Sequence, residues 1–277
     1  MRALSVSRPF KMLAVADAGF LSGRDARAIV ELLGRVSEDG GGRPNQRKLL
    51  MDGLCDLVHA DCWVWGVFEF VSEGALPGFA IQQSGGFSRE RLAKYLRANE
   101  HRDLGPISAP LFELARREGR QITRMRQQTD PNDSFAQSGA YALWADADVS
   151  PGILSLRPTD TPTIGFMSVY RRMAAPLYTE REARIAHIVL TEIPWLHEND
   201  STGSDLPWDR LGPRHVTITN LLLAGFTRGE IAGRLGLSPH TIGGYVKEIY
   251  ASFGVTSQPA LMRRFFEGDG ADGLHTP

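Results

Sequence analysis

The sequence has few cysteines and no long apolar run. Only two of its 277 residues are cysteine, Cys55 and Cys62, which is too few for a disulfide framework and fits a reducing compartment. No stretch of about 18 or more residues is continuously apolar, so we expect no membrane span. The nearest approach to a signal peptide, residues 12–21, is interrupted by Asp17 and has no small-residue cleavage pattern after it. These absences predict a cytoplasmic protein.

Motifs of catalysis are also missing. The chain has no glycine-rich phosphate loop, no Gly-x-Ser-x-Gly elbow and no His-Glu-x-x-His pair. Cys55, His59 and Cys62 have the spacing of metal ligands. An obvious fourth ligand is lacking, however, and buried free cysteines are common. We therefore predict neither an enzyme nor a bound metal or cofactor.

The charge is unevenly divided along the chain, although its formal net value is only -1. Residues 208–266 contain seven basic and three acidic side chains, which leaves the remainder of the chain acidic. A small basic module joined to a larger acidic one is the balance expected when only the small module meets phosphate.

A polar stretch at residues 198–205, followed by Pro207, Gly212 and Pro213, is typical of an interdomain linker. Because the length also favours two domains, we predict four segments. These are a sensory or dimerisation domain at 1–197, a linker at 198–210, a helix-turn-helix domain at 211–266 and a flexible tail at 267–277.

The segments before the linker alternate between helical and extended patterns. Periodicity and turn residues predict helices at 24–37, 44–59, 88–100, 108–118, 134–145 and 179–196, and strands at 61–70, 79–83, 121–125, 152–157 and 163–170. Ser88 is the expected N-cap of the third helix, and Gly119 is expected to end the fourth. This order predicts an α+β fold in which an antiparallel sheet is flanked by helices, followed by a small all-α domain of four helices.

Residues 227–254 have the pattern of two helices joined by a short turn. Thr227 is placed to cap the first helix, Gly236 supplies a left-handed turn, and Ser238 caps the second helix. In that second helix Ile242, Val246, Ile249 and Phe253 recur at three- or four-residue spacing, so one side is buried and the other is presented outward. This is the helix-turn-helix geometry that lays a recognition helix in the major groove.

The whole stretch from 211 to 266 resembles the LuxR-type four-helix domain. The matching features are Leu211, Pro213-Arg214, Leu221-Leu222, Ala224-Gly225, Glu230-Ile231-Ala232, Leu235-Gly236-Leu237-Ser238, His240-Thr241-Ile242, Tyr245-Val246 and Phe253-Gly254-Val255. The resemblance implies a transcriptional regulator that binds double-stranded DNA. It also implies a homodimer formed through the closing helix, residues 257–266.

The sequence departs from this family at Gly243 and Gly244, where relatives often carry a lysine and another long or branched side chain. Glycines present no side chain to a base edge. The DNA contacts must therefore be made by the remaining polar residues. We expect them from Thr227, Arg228, Arg234, Ser238, His240, Thr241, Tyr245 and Lys247. The alternative is a docking protein whose degenerate helix-turn-helix has lost sequence-specific DNA binding.

The N-terminal segment lacks the acidic cluster of a phospho-receiver domain, and its order of elements resembles GAF-like or autoinducer-binding sensory domains. Compared with acyl-homoserine-lactone receptors, Tyr95 and Asp103 fall where a tyrosine and an aspartate are expected, but Arg91 replaces the first tryptophan. For a small-molecule site the candidates are Trp63, Trp65, Phe79, Tyr95, Asp103 and Trp144. The alternative is that the aromatic residues are plain core.

Overall fold

A five-stranded antiparallel sheet forms the centre of the N-terminal part of the protein. The computed structural model describes residues 20–69, 78–159, 163–197 and 211–267. The strands run in the order β2-β1-β5-β4-β3. Their bounds are β1 Cys62–Glu69, β2 Gly78–Gly85, β3 Ile122–Met125, β4 Ser150–Pro158 and β5 Thr163–Arg171.

Helices cover both faces of this sheet and continue beyond it. Within the described residues before 198 they are α1 Gly23–Glu38, α2 Gly42–Val58, α3 Arg89–Asn99, α4 Leu104–Glu118, α5 Arg126–Thr129, α6 Ala140–Asp146, α7 Glu180–Thr191 and α8 Pro194–His197. Four follow residue 211: α9 Pro213–Leu223, α10 Arg228–Leu235, α11 Pro239–Ser252 and α12 Gln258–Glu267. The predicted α+β fold is confirmed, and none of the described helices is long and apolar enough to cross a membrane.

Alternation along the strands divides the apolar residues between two cores. In β1, Val64 joins the core under α3, α4 and α6, whereas Trp63 and Trp65 join the core under α1, α2 and α7. Successive side chains of a strand point to opposite faces, which explains why adjacent residues separate in this way. The result is a three-layer arrangement with the sheet in the middle.

Two of the predicted helix ends are confirmed, and two predicted helices are shorter than expected. The Ser88 side chain accepts a hydrogen bond from the Arg91 N–H, and Gly119 ends α4 with a left-handed φ of 61°. Residues 134–139 form turns instead of helix, because the Asp130 carboxylate accepts hydrogen bonds from the backbone N–H groups of Ser134 and Phe135, both at 2.8 Å. The expected helix at 179–196 stops at Thr191 before Pro194, which has no N–H with which to continue it.

Helix α9 joins the C-terminal helices to the rest of the molecule. All seven residues from 218 to 224 are buried. A run of this length makes nearly two helical turns, so every side of the helix is covered. On one side lie α10, α11 and α12, and on the other lie β2 and α3. The predicted linker at 198–210 is outside the described residues, so the domain boundaries stay a prediction.

Candidate DNA-binding face and candidate ligand cavity

Helix α10 begins at a reciprocal cap. The Thr227 side chain accepts a hydrogen bond from the backbone N–H of Glu230, whose carboxylate accepts one from the Thr227 N–H at 2.7 Å. Each side chain therefore satisfies a backbone donor that the first turn of a helix leaves open.

The turn and the second helix follow the same local rules. Gly236 has a φ of 63°, in the left-handed region that glycine adopts at little cost. The Leu237 N–H donates to the Ala232 carbonyl at 3.0 Å, and the Ser238 side chain accepts a hydrogen bond from the Thr241 N–H at 3.0 Å. Pro239 occupies the first position of α11, where a missing N–H has no cost. The predicted helix-turn-helix is confirmed.

Helix α11 has one buried and one open side. Ile242, Val246 and Ile249 are fully buried, whereas His240, Thr241 and Lys247 are exposed. A Cβ atom added at either Gly243 or Gly244 would meet nothing within 4 Å. The outward side of this helix is thus unobstructed by any described part of the chain.

The predicted DNA contacts divide into three groups. Arg228 is exposed on α10, the helix that packs against α11. Tyr245 is half-buried, with its ring edge-on to His215 at a centroid distance of 5.0 Å. Arg234 lies over the Phe226 ring, 4.2 Å from its centroid. Thr227 and Ser238 are exposed helix caps, and Arg234 is exposed as well, which leaves Arg228, His240, Thr241 and Lys247 as exposed candidates that neither cap a helix nor lie over an aromatic ring.

A cavity of about 220 Å³ lies between the sheet and helices α3, α4 and α6. Its walls are mainly aromatic and aliphatic. The aromatic members are Phe68, Tyr95, Phe112, Phe135, Trp144, Phe166 and Tyr170. A concave apolar site with a few polar groups is the usual form of a small-molecule site.

Of the five predicted ligand-binding residues whose side chains the structure describes, two line this cavity. Tyr95 and Trp144 do so. Trp63 and Trp65 belong to the core on the opposite face of the sheet. The Asp103 carboxylate accepts a hydrogen bond from the Gly139 N–H at 2.8 Å. The Phe79 side chain lies outside the described residues, and the ligand roles of all six stay predictions.

Some polar groups of the cavity wall are hydrogen-bonded to each other, and others have no partner among the described residues. The hydroxyl groups of Tyr95 and Tyr170 are hydrogen-bonded to each other at 2.8 Å, and burial raises the pKa of Tyr170 to about 12, so this pair stays neutral. In contrast, Trp144 Nε1 and Arg126 Nε are buried and have no hydrogen-bond partner within the described part of the chain. A buried donor without a partner is costly, and both residues belong to the cavity wall.

Sequence reasoning missed the charged residues of the wall, Arg126 and Glu100 among them. Arg126 follows directly after the short strand β3, and its guanidinium pairs with Asp130 and Asp133. Glu100 is the C-cap of α3, and burial raises the pKa of its carboxyl. Periodicity carries no signal for either residue, because their positions depend on contacts between distant segments.

The two cysteines are free thiols in the core. Both are buried, and burial raises the thiol pKa of each, to about 12 for Cys62. Among the described residues no group of three or more His, Cys, Asp or Glu side chains is placed to hold a metal ion.

A family model agrees with this helix-turn-helix. The family model described as "Bacterial regulatory proteins, luxR family" matches residues 209–265, and no curated protein matches the chain. Among solved structures, SdiA in complex with octanoyl-rac-glycerol is 13% identical, with a TM-score of 0.38 over 88% of this chain and 95% of its own. A crystal structure of Escherichia coli SdiA is also 13% identical. Its TM-score is 0.39, and the match covers 87% of this chain and 98% of that chain. Residues 209–265 of this chain are therefore a luxR-family domain, a type of domain that binds DNA in bacterial transcription regulators.

Proposed function

We propose that the protein is a DNA-binding transcriptional regulator whose N-terminal part senses a small molecule in the cavity beneath α3 and α4. The observation that carries this proposal is the luxR-family domain with an unobstructed outer side on α11. In keeping with the family that the sequence resembles, we assign homodimerisation to α12. We place the regulator in the cytoplasm, where its DNA lies.

Helix α11 is the element that enters the major groove in this proposal. His240 and Thr241, in its first turn, are placed to meet base edges, because recognition helices use their N-terminal residues for this purpose. Arg228 and Lys247 supply positive charge to the phosphates. With Gly243 and Gly244 in place of long side chains, few base contacts remain, so backbone contacts supply a large share of the affinity.

Replacing Lys247 with alanine tests the electrostatic part of this interface. Loss of one phosphate contact lowers the slope of log affinity against log salt by about 0.9, which is close to a tenfold loss of affinity at about 0.1 M salt. Fluorescence anisotropy of a labelled duplex, measured across a salt series, gives both values. Lys48→Ala is the matched control, because Lys48 is an exposed lysine of α2 that pairs with Asp52. An unchanged slope in Lys247→Ala removes Lys247 from the interface.

The composition of the cavity wall favours a ligand with an apolar body and an oxygen atom that accepts a hydrogen bond. The apolar walls favour the body, and the unpartnered donors Trp144 Nε1 and Arg126 Nε favour a carbonyl or similar acceptor. A neutral primary amide on an aromatic ring has these features and offers N–H donors as well. We therefore use 4-fluorophenylacetamide as a probe of the site.

Binding of this probe, followed by ¹⁹F NMR, is expected to weaken about tenfold in Trp144→Phe, because the variant keeps an aromatic ring but loses the indole N–H. Trp195→Phe provides the control, since Trp195 packs against the core on the other face of the sheet. Equal affinity of the two variants would contradict the assignment of Trp144 as a ligand donor.

A further inference from the structure

Helix α3 is shared by the cavity and the luxR-family domain. Tyr95, Asn99 and Glu100 line the cavity. From the same helix, Arg97 Nε donates a hydrogen bond to the Ala224 carbonyl at the end of α9, at 2.9 Å. A movement of α3 at the cavity wall therefore reaches the DNA-binding domain directly.

Two arginines from different parts of the chain meet at one aromatic ring. The Arg97 guanidinium lies 4.8 Å from the centroid of Phe226, and the Arg234 guanidinium lies 4.2 Å from it. Phe226 is itself buried. Each contact is within the range of a cation–π interaction, but the two cations repel each other, so this arrangement needs negative charge nearby.

The carboxylates around this arginine pair are Glu230 and Glu100. Glu230 is the reciprocal cap of Thr227, and its negative charge also lies close enough to Arg97 and Arg234 for both to lower the pKa of its carboxyl. Glu100 comes from the N-terminal part, and Arg234 is the charged group that favours its ionised form against the effect of burial. No hydrogen bond or ion pair fixes the Glu100 carboxyl among the described residues, although it lines the cavity. It is therefore free to interact either with Arg234 or with a ligand.

We propose that Glu100 couples the cavity to the luxR-family domain. With its carboxylate directed to Arg234, it adds to the negative charge of Glu230 beside the arginine pair and keeps the domain packed on α3. A ligand that donates a hydrogen bond to this carboxylate draws it into the cavity, so the arginine pair keeps only the negative charge of Glu230 and the domain separates from α3. This coupling rests on the proposed function, because it needs a ligand in the cavity.

Separation of the luxR-family domain from α3 can be measured in the full chain as the distance between two spin labels. Arg117→Cys and Ala251→Cys place labels on exposed positions of α4 and α11. The two native cysteines stay unlabelled because they are buried and their thiol pKa values are raised. Double electron–electron resonance then gives the populations of packed and separated forms.

Glu100→Gln is expected to raise the ratio of separated to packed form about fivefold, the effect of losing one partly exposed charge interaction. Glu90→Gln is the matched control, because Glu90 lies on the same helix and pairs only with Lys94 among the described residues. Glu100→Arg is expected to separate the domain further, and the double variant Glu100→Arg/Arg234→Glu to restore packing. Equal distributions for Glu100→Gln and Glu90→Gln, or no restoration by the double variant, would overturn the proposal.

The ligand step is tested with saturating 4-fluorophenylacetamide, which should raise the separated population in the parent chain and leave Glu100→Gln unchanged. If ¹⁹F NMR shows the probe bound and the distances do not change, the coupling is wrong and the proposed ligand site stands. If the probe binds neither the parent chain nor Trp195→Phe, the ligand site itself is contradicted, and the coupling fails with it.

Discussion

Replacing Arg171 with methionine is expected to lower the free energy of unfolding by about 3–5 kcal/mol, the usual result of removing one partner of a buried ion pair. Arg171 ends β5 and is only 6% exposed. Its guanidinium pairs with Glu182 at the start of α7 and donates to the Val58 and His59 carbonyls at the end of α2, at 2.7 and 3.1 Å. One side chain thus ties two helices to the sheet.

Urea unfolding of the full chain, followed by circular dichroism, measures this loss. Arg172→Met is the matched control, because the neighbouring Arg172 pairs with Asp61 and Asp148 on the surface, with about half of its side chain exposed. Surface pairs contribute about 0–1 kcal/mol. Similar losses in the two variants would show that Arg171 does not act as a buried clamp.

Replacing Gly243 with lysine is expected to change two properties together. Helix propensity raises stability by a few tenths to about 1 kcal/mol, and the new charge at the groove tightens DNA binding about tenfold at about 0.1 M salt. The structure leaves room for the change, since an added Cβ meets nothing within 4 Å. Gly243→Ala is the control, because it gains helix propensity without charge.

The docking-protein alternative predicts a different outcome for the same variant. If the two glycines permit close approach of another protein surface, any side chain there disrupts the assembly and DNA affinity does not improve. Thermal unfolding, sedimentation and duplex anisotropy of Gly243→Lys and Gly243→Ala distinguish the two accounts. Tighter DNA binding by the lysine variant with an unchanged oligomeric state would contradict the docking alternative.

The helix-turn-helix was predictable because its signals are local. Thr227 and Ser238 each accept a hydrogen bond from an N–H three residues ahead, and Gly236 takes a left-handed conformation within the turn. The order of strands and helices before residue 198 was predictable for a related reason, since strand alternation and helical periodicity are also read over a few residues. These features do not depend on how distant segments pack.

The cavity was less predictable because both faces of the sheet carry aromatic residues. Alternation separates Trp63 and Trp65 from Val64 and Phe68, but it does not say which face holds the cavity. Helices cover both faces, and the cavity depends on how α3, α4 and α6 pack. Its unpartnered donors at Trp144 and Arg126 became visible only in three dimensions.

Contacts between the N-terminal part and the luxR-family domain also could not be predicted from local sequence patterns. Arg234 was predicted from sequence as a DNA contact, and its place over Phe226 beside Arg97 depends on segments more than 120 residues apart. The burial of residues 218–224 has a visible counterpart in the apolar run from 221 to 224. That run alone does not identify β2 and α3 as the partners.

Selection of genomic DNA fragments by the purified full chain tests the central claim most directly, with a triple alanine variant of His240, Thr241 and Lys247 as the comparison. We predict that the parent chain enriches fragments that share one short sequence and that the triple variant, with its helix caps intact, does not. No enrichment by the parent chain, or equal enrichment by both proteins, would contradict the assignment of α11 as a DNA-reading helix.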